Sequence, residues 1–131
     1  MTYILVGVAG IVGALLRYSV GLIMANFSLS LFSTWFVNMI GCFFLALFTA
    51  SIFKMKGKQV YFAPAIGTGL IGSFTTFSAF SVETVQFLHQ HNYNWAFLYI
   101  GVSSIGGLMM AWVGLQLGNK LWKSYGQEEQ Q

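Results

Sequence analysis

Charge is what this chain has least of. Of 131 residues, six are Lys or Arg and three are Asp or Glu, 7% in all, against roughly 25% in ordinary soluble domains. With 56% apolar and 18% aromatic residues, that scarcity excludes a soluble domain and leaves an integral membrane protein. Cysteine is nearly absent as well. Cys42 stands alone inside an apolar run, so no internal disulfide can form, and no Cys/His spacing suggests a metal centre. There is no phosphate-binding loop, nucleophile–base pair or intramembrane acid relay, which argues against nucleotide-driven or proton-coupled transport and against membrane enzymology. The net charge of +3 comes mostly from lysines flanking apolar runs, so no nucleic-acid partner is expected.

What the chain has in quantity is long apolar sequence. Four runs, about Tyr3–Ala25, Ser33–Phe53, Tyr61–Leu88 and Trp95–Gly118, each meet the ~20 residues needed to cross a ~30 Å hydrocarbon core. The first lacks a basic leading region, is too long for a signal-peptide core and carries Arg17, so it reads as a span. The fold class is therefore all-α, a single domain over 1–131 with four transmembrane helices. Lys54, Lys56, Lys58, Lys120 and Lys123 then fall on one side of the membrane while the opposite links carry no Lys or Arg, which predicts a multi-pass protein with both termini in the cytoplasm. Tyr3, Trp35, Tyr61, Tyr93, Trp95, Trp122 and Tyr125 lie near span ends, as expected of rings anchored among lipid headgroups. Small residues recur at helix-facing spacing, Gly10 with Ala14 and Gly106, Gly114 and Gly118 along the last span. Such rows serve either packing within a subunit or assembly, with a dimer the simplest way to cover the polar residues of so small a bundle.

One segment does not suit lipid. Gly72-Ser73-Phe74-Thr75-Thr76-Phe77-Ser78-Ala79-Phe80-Ser81 sets five hydroxyls and three phenyl rings behind a glycine at membrane depth, where polar groups must face protein, ions or water. Ring edges are electropositive and hydroxyls donate hydrogen bonds, a combination that suits a small hydrated anion. On a helix, Phe77, Ser81 and Thr84 share one stripe and Thr76, Phe80 and Glu83 the next. Gly67, Gly69 and Gly72 permit either a break near Gly72–Thr75, freeing carbonyls for a cation, or a close helix crossing. Asn38 is a lone amide in the second span, an anion ligand or a bridge between helices. Arg17 either supplies positive potential at one end of the first span or snorkels to fix its depth. Glu83, the one acid within a span, approaches the surface and is expected to be solvated in a vestibule.

These residues together resemble the CrcB/Fluc family of fluoride channels. The likeness covers nearly the whole chain and rests on Gly72 to Glu83, on Gly10-Ile11-Val12-Gly13-Ala14-Leu15-Leu16-Arg17-Tyr18 and on Asn38-Met39-Ile40-Gly41. It implies an antiparallel, dual-topology dimer embedded in membrane lipid that lets cytoplasmic fluoride leak out passively. Phe77 and Phe80 would line the path, with Asn38, Ser78, Tyr99 and Ser103 as polar contacts. Arg17 and Glu83 would sit in the vestibule, and the carbonyls of Gly72 and Thr75 would hold a structural sodium ion at the dimer interface. Ala79 and Ser73 depart from the family's frequent threonine and glycine. The one-sided lysines point to pairing with a second, oppositely biased homologue, with the homodimer as alternative. The rivals are a small drug/proton antiporter, which needs a carboxylate in a first helix that here carries only Arg17, and an accessory membrane subunit.

Overall fold

The computed structural model describes residues 2–27, 30–52 and 62–128, the side chains of residues 30, 31, 52 and 122–128 excepted. Lys54, Lys56, Lys58 and Tyr61 lie outside the described residues. All regular structure among the described residues is helical, and four segments are long and apolar enough to cross a membrane. Helix α1 spans Thr2–Asn26 and α2 Ser30–Ile52. The third span is interrupted: a π-helix over Ala65–Ile71 runs into one α-turn, α3 (Gly72–Phe74), and after two extended residues α4 resumes over Phe77–His89. Helix α5 is continuous from Tyr93 to Glu128, ten residues past the expected end of its apolar run. Asn119 and the residues after it suit a helix as well as those before; polarity ends the membrane run, not the backbone geometry.

Two seams of small residues hold the bundle. In the first, α1 lies against the π-helix and α3. A Cβ added to Gly13 would overlap the Leu70 carbonyl, and one added to Gly69 would come within 2.6 Å of the Val6 carbonyl oxygen. In the second, α5 lies along α2, where Gly114 faces the Phe43 carbonyl and a Cβ on Gly118 would meet Ala50 at 2.8 Å. Both small-residue rows are thus used inside the subunit, since bilayer helices attract each other through close backbone contact rather than apolar burial. Gly10 belongs to the first seam, its Cβ position 3.2 Å from Ser73 Oγ. Elsewhere large apolar side chains such as Ile4, Phe97 and Leu108 point outward, as expected where the solvent is hydrocarbon.

Helix α4 ends in a tight reversal. His91 takes the left-handed conformation (φ 58°), and Asn92 N–H reaches back to Phe87 O at 2.9 Å while His91 N–H reaches Leu88 O at 3.0 Å. This pair of bonds satisfies carbonyls that the helix end leaves open. Asn92 O then accepts from Ala96 N–H and starts α5 antiparallel to α4.

Candidate functional site

The polar centre is organised by the break in the third span. Thr75 N–H makes the last bond of the ladder, to Ile71 O at 3.0 Å, but Thr75 (ψ 156°) and Thr76 (φ −146°, ψ 118°) are extended, so the peptide groups on both sides of Thr76 leave it. In hydrocarbon such groups need partners. Asn38 supplies them from α2: its Oδ1 accepts from Thr76 N–H at 2.8 Å, and its Nδ2 donates to Thr76 O at 3.0 Å. One side chain thereby replaces a neighbouring strand. The Thr76 hydroxyl accepts from Ala79 N–H at 3.2 Å and so caps α4, while Thr75 Oγ1 donates to Ile71 O at 3.1 Å. Gly41, one turn beyond Asn38, leaves the space that the Thr75 methyl fills. The break expected near Gly72–Thr75 falls at the end of that stretch: Gly67, Gly69 and Gly72 lie in and just after the π-helix, and the chain departs from helix at Thr75 and Thr76.

A cleft of about 360 Å³ opens beside the break, lined by Asn38, Thr76, Phe77, Phe80, Ser103 and Trp35 among others. Phe77 is 79% exposed at its mouth. Its ring centroid lies 5.9 Å from that of Phe80, Phe80 lies 5.2 Å from Tyr99, and Tyr99 lies 5.9 Å from Phe87. The four rings make a row linking α4 to α5. With one Nδ2 hydrogen committed to Thr76, Asn38 keeps a second donor beside this cleft. Ser103 Oγ and Trp35 Nε1 are both buried there without a hydrogen-bond partner.

On the other side of α4 a second cleft, about 450 Å³, gathers Arg17, Thr76, Ser78, Glu83 and Gln86. Ser78 Oγ lies 3.1 Å from Thr76 Oγ1. Glu83, half-buried at the edge of this cleft, is also bonded on its bundle side. Its Oε1 accepts from Thr34 Oγ1 at 2.6 Å and its Oε2 from the Tyr99 hydroxyl at 2.5 Å. Glu83 thus ties α2, α4 and α5 together from within the bundle, and through Tyr99 it joins the ring row. Thr34, buried at 7% exposure, was not singled out from sequence, although it sits one turn before Asn38 on the same face.

The expected pathway residues are therefore divided between two faces of α4. Phe77, Phe80, Asn38 and Ser103 meet in one cleft, Ser78, Arg17 and Glu83 in the other, and Thr76 borders both. Two hydroxyls of the expected stripes are spent elsewhere: Ser81 donates to Phe77 O at 2.9 Å and Thr84 to Phe80 O at 2.8 Å. As donors they are closed to an ion. The Trp35 ring, near the start of α2, lies half-buried between α2 and α5. The arrangement offers hydrogen-bond donors and ring edges at the membrane centre with a fixed cation nearby, but no nucleophile–base pair. Among the described residues no cluster of His, Cys, Asp and Glu could hold a metal ion.

A family model described as CrcB-like protein, Camphor Resistance (CrcB), matches residues 4–115. Among curated proteins, a fluoride-specific ion channel FluC 1 of Bacillus cereus is 48% identical over 125 residues, 94% of this chain and 87% of the relative. FluC 1 of Bacillus anthracis is 45% identical over 127 residues, covering 95% and 93% of the two chains. A FluC 2 of Geobacillus kaustophilus is 39% identical over 116 residues, covering 87% of this chain and 90% of the relative.

Proposed function

Because this chain belongs to the CrcB-like family, we propose that it is a passive, fluoride-selective channel of the cell membrane that lets cytoplasmic fluoride escape. The observation that carries this reading is the cleft beside the broken helix, where the Phe77 and Phe80 rings stand next to the unspent donors of Asn38 and Ser103. Fluoride holds its water tightly, so a pore must replace that shell with several contacts, none strong enough to trap the ion. Arg17 raises the local anion concentration, and Ser78 and Thr76 hand the ion around the start of α4. Helix α4 adds the partial positive charge of its N-terminus at the same depth. Thr34 and Tyr99, which donate to Glu83, form a polar floor to the ring row. A proton-coupled antiporter is disfavoured because Arg17 is the sole charged residue of α1.

The single chain leaves its polar clefts open on one side, and an antiparallel dimer would cover them. The lysine bias supports cytoplasmic termini and a partner of opposite bias, a homologous second chain rather than a second copy. Backbone carbonyls at the end of α3 fit a hard monovalent cation: Gly72 lies in the last turn, and the extended Thr75 turns its own carbonyl off the helix axis. Gly72, whose carbonyl the Thr75 hydroxyl also approaches at 3.4 Å, and Thr75 would supply one half of a sodium site at the dimer interface.

Purified protein in liposomes tests the function. Fluoride efflux well above chloride efflux is the expected result, and equal rates for both would overturn the reading. Co-expression with a second homologue is expected to be required for full efflux. Antiparallel homodimers that conduct when the chain is expressed alone would overturn the heteromeric pairing.

A further inference from the structure

We propose that Trp35 is a specificity-determining residue of the permeation route, its indole N–H holding a fluoride ion in transit together with the Ser103 hydroxyl. The inference rests on the channel reading above. Trp35 Nε1 and Ser103 Oγ are the two buried side-chain polar atoms without a hydrogen-bond partner among the described residues, and both side chains line the cleft that holds Phe77 and Phe80. They belong to adjoining surfaces. Trp35 Cζ2, next but one to the indole nitrogen, is 4.0 Å from the Cβ position of Gly106, which lies one helical turn from Ser103 on α5. An indole N–H can only donate, and a serine hydroxyl can donate as readily as it accepts. Buried donors left unmet are costly in a native protein and commonly signify a bound water or ion that completes them.

A small anion is the occupant that satisfies both at once. It needs donors alone, and the neighbouring ring edges of Phe77 and Phe80 add attraction for negative charge. A larger halide gains less, because a rigid indole and a short hydroxyl set a tight spacing and cannot both reach a bulkier ion. Trp35 therefore contributes to selection as well as passage, whereas phenylalanine in its place would keep the ring and lose the donor.

The test is Trp35→Phe, Ser103→Ala and the double variant, reconstituted with whatever partner the wild type requires. Fluoride efflux is expected to fall by about tenfold to a hundredfold in Trp35→Phe, the scale of one lost hydrogen bond to a charged group. The double variant is expected to fall by less than the product of the two single losses. Wild-type efflux in Trp35→Phe, or strictly multiplicative losses, would overturn the shared site while leaving the channel reading intact. A wild type that passes no fluoride would remove both. Ligation also has a readout separate from flux. The chain has four tryptophans, and replacing Trp95, Trp112 and Trp122 one at a time with phenylalanine assigns their ¹⁵N indole signals, leaving Trp35 by elimination. Sodium fluoride is expected to shift the Trp35 signal where sodium chloride does not, and Ser103→Ala to weaken the response. An indole signal indifferent to fluoride would overturn the proposal even if Trp35→Phe failed to fold.

Discussion

The two halves of the third span are fixed in opposite ways. Before the break, the π-helix presses its backbone onto α1, Gly69 against Val6 and Leu70 against Gly13, with carbonyls meeting bare Cα positions. After it, α4 is held by side chains: the Thr76 cap, the Asn38 bridge beside it and the Glu83 bonds to α2 and α5. The first half is rigid because it is close, the second because it is hydrogen-bonded. An ion path can run along the second only, since the cleft beside it keeps donors that no helix contact has used, whereas van der Waals contact offers none.

Substitutions should separate the two halves. The largest effect is expected from Gly13→Leu, which drives a branched side chain into the Leu70 carbonyl; a loss of about 3 kcal/mol or more should appear as aggregated rather than monodisperse protein after extraction. Asn38→Leu comes next. It strips both partners from Thr76, costing about 2–4 kcal/mol and abolishing flux, and hydrogen exchange at the Thr76 amide should accelerate. Asn38→Asp, which keeps the acceptor, should be milder, and equal damage from both would show that the N–H bridge is not what matters. Phe80→Ile removes a ring but no hydrogen bond. Stability should change by about 1 kcal/mol while fluoride efflux falls at least about tenfold, the factor equivalent to about 1.4 kcal/mol of lost ion stabilisation. Ser81→Ala is expected to be the quietest, within about 0.5 kcal/mol and with unchanged flux, because its hydroxyl already serves its own helix; a clear loss of conductance there would move the path onto that stripe.

Much of this was legible in the chain itself. Hydropathy and length gave four spans, and a glycine-led run of hydroxyls at membrane depth marked the interruption before any coordinates. The break falls within reach of the Gly72–Thr75 stretch read for it; its geometry was less accessible, because glycine permits many geometries while a threonine cap selects one, and Thr76 with Ala79 three residues on carried that information. Hydroxyl counting overstated the donors, since Ser81 and Thr84 turn back to carbonyls one turn earlier in a way no spacing reveals. The partners of Glu83 were hidden for a related reason. Proximity to the span end suggested water, whereas Thr34 and Tyr99 come to it from helices distant in sequence. The packing of Trp35 against Gly106 was likewise out of reach, since it depends on the α2–α5 seam.

The Asn38 amide has an implication for how this gene can be altered. A helix turns about 100° per residue, so inserting or deleting one residue within α2 ahead of position 38 would swing that amide a quarter-turn or more off its target and strand the Thr76 peptide in oil. Lengthening a connecting link carries no such penalty. The second span is accordingly a ruler with a single notch, tolerant of conservative spelling changes along its lipid face but intolerant of any change in its count.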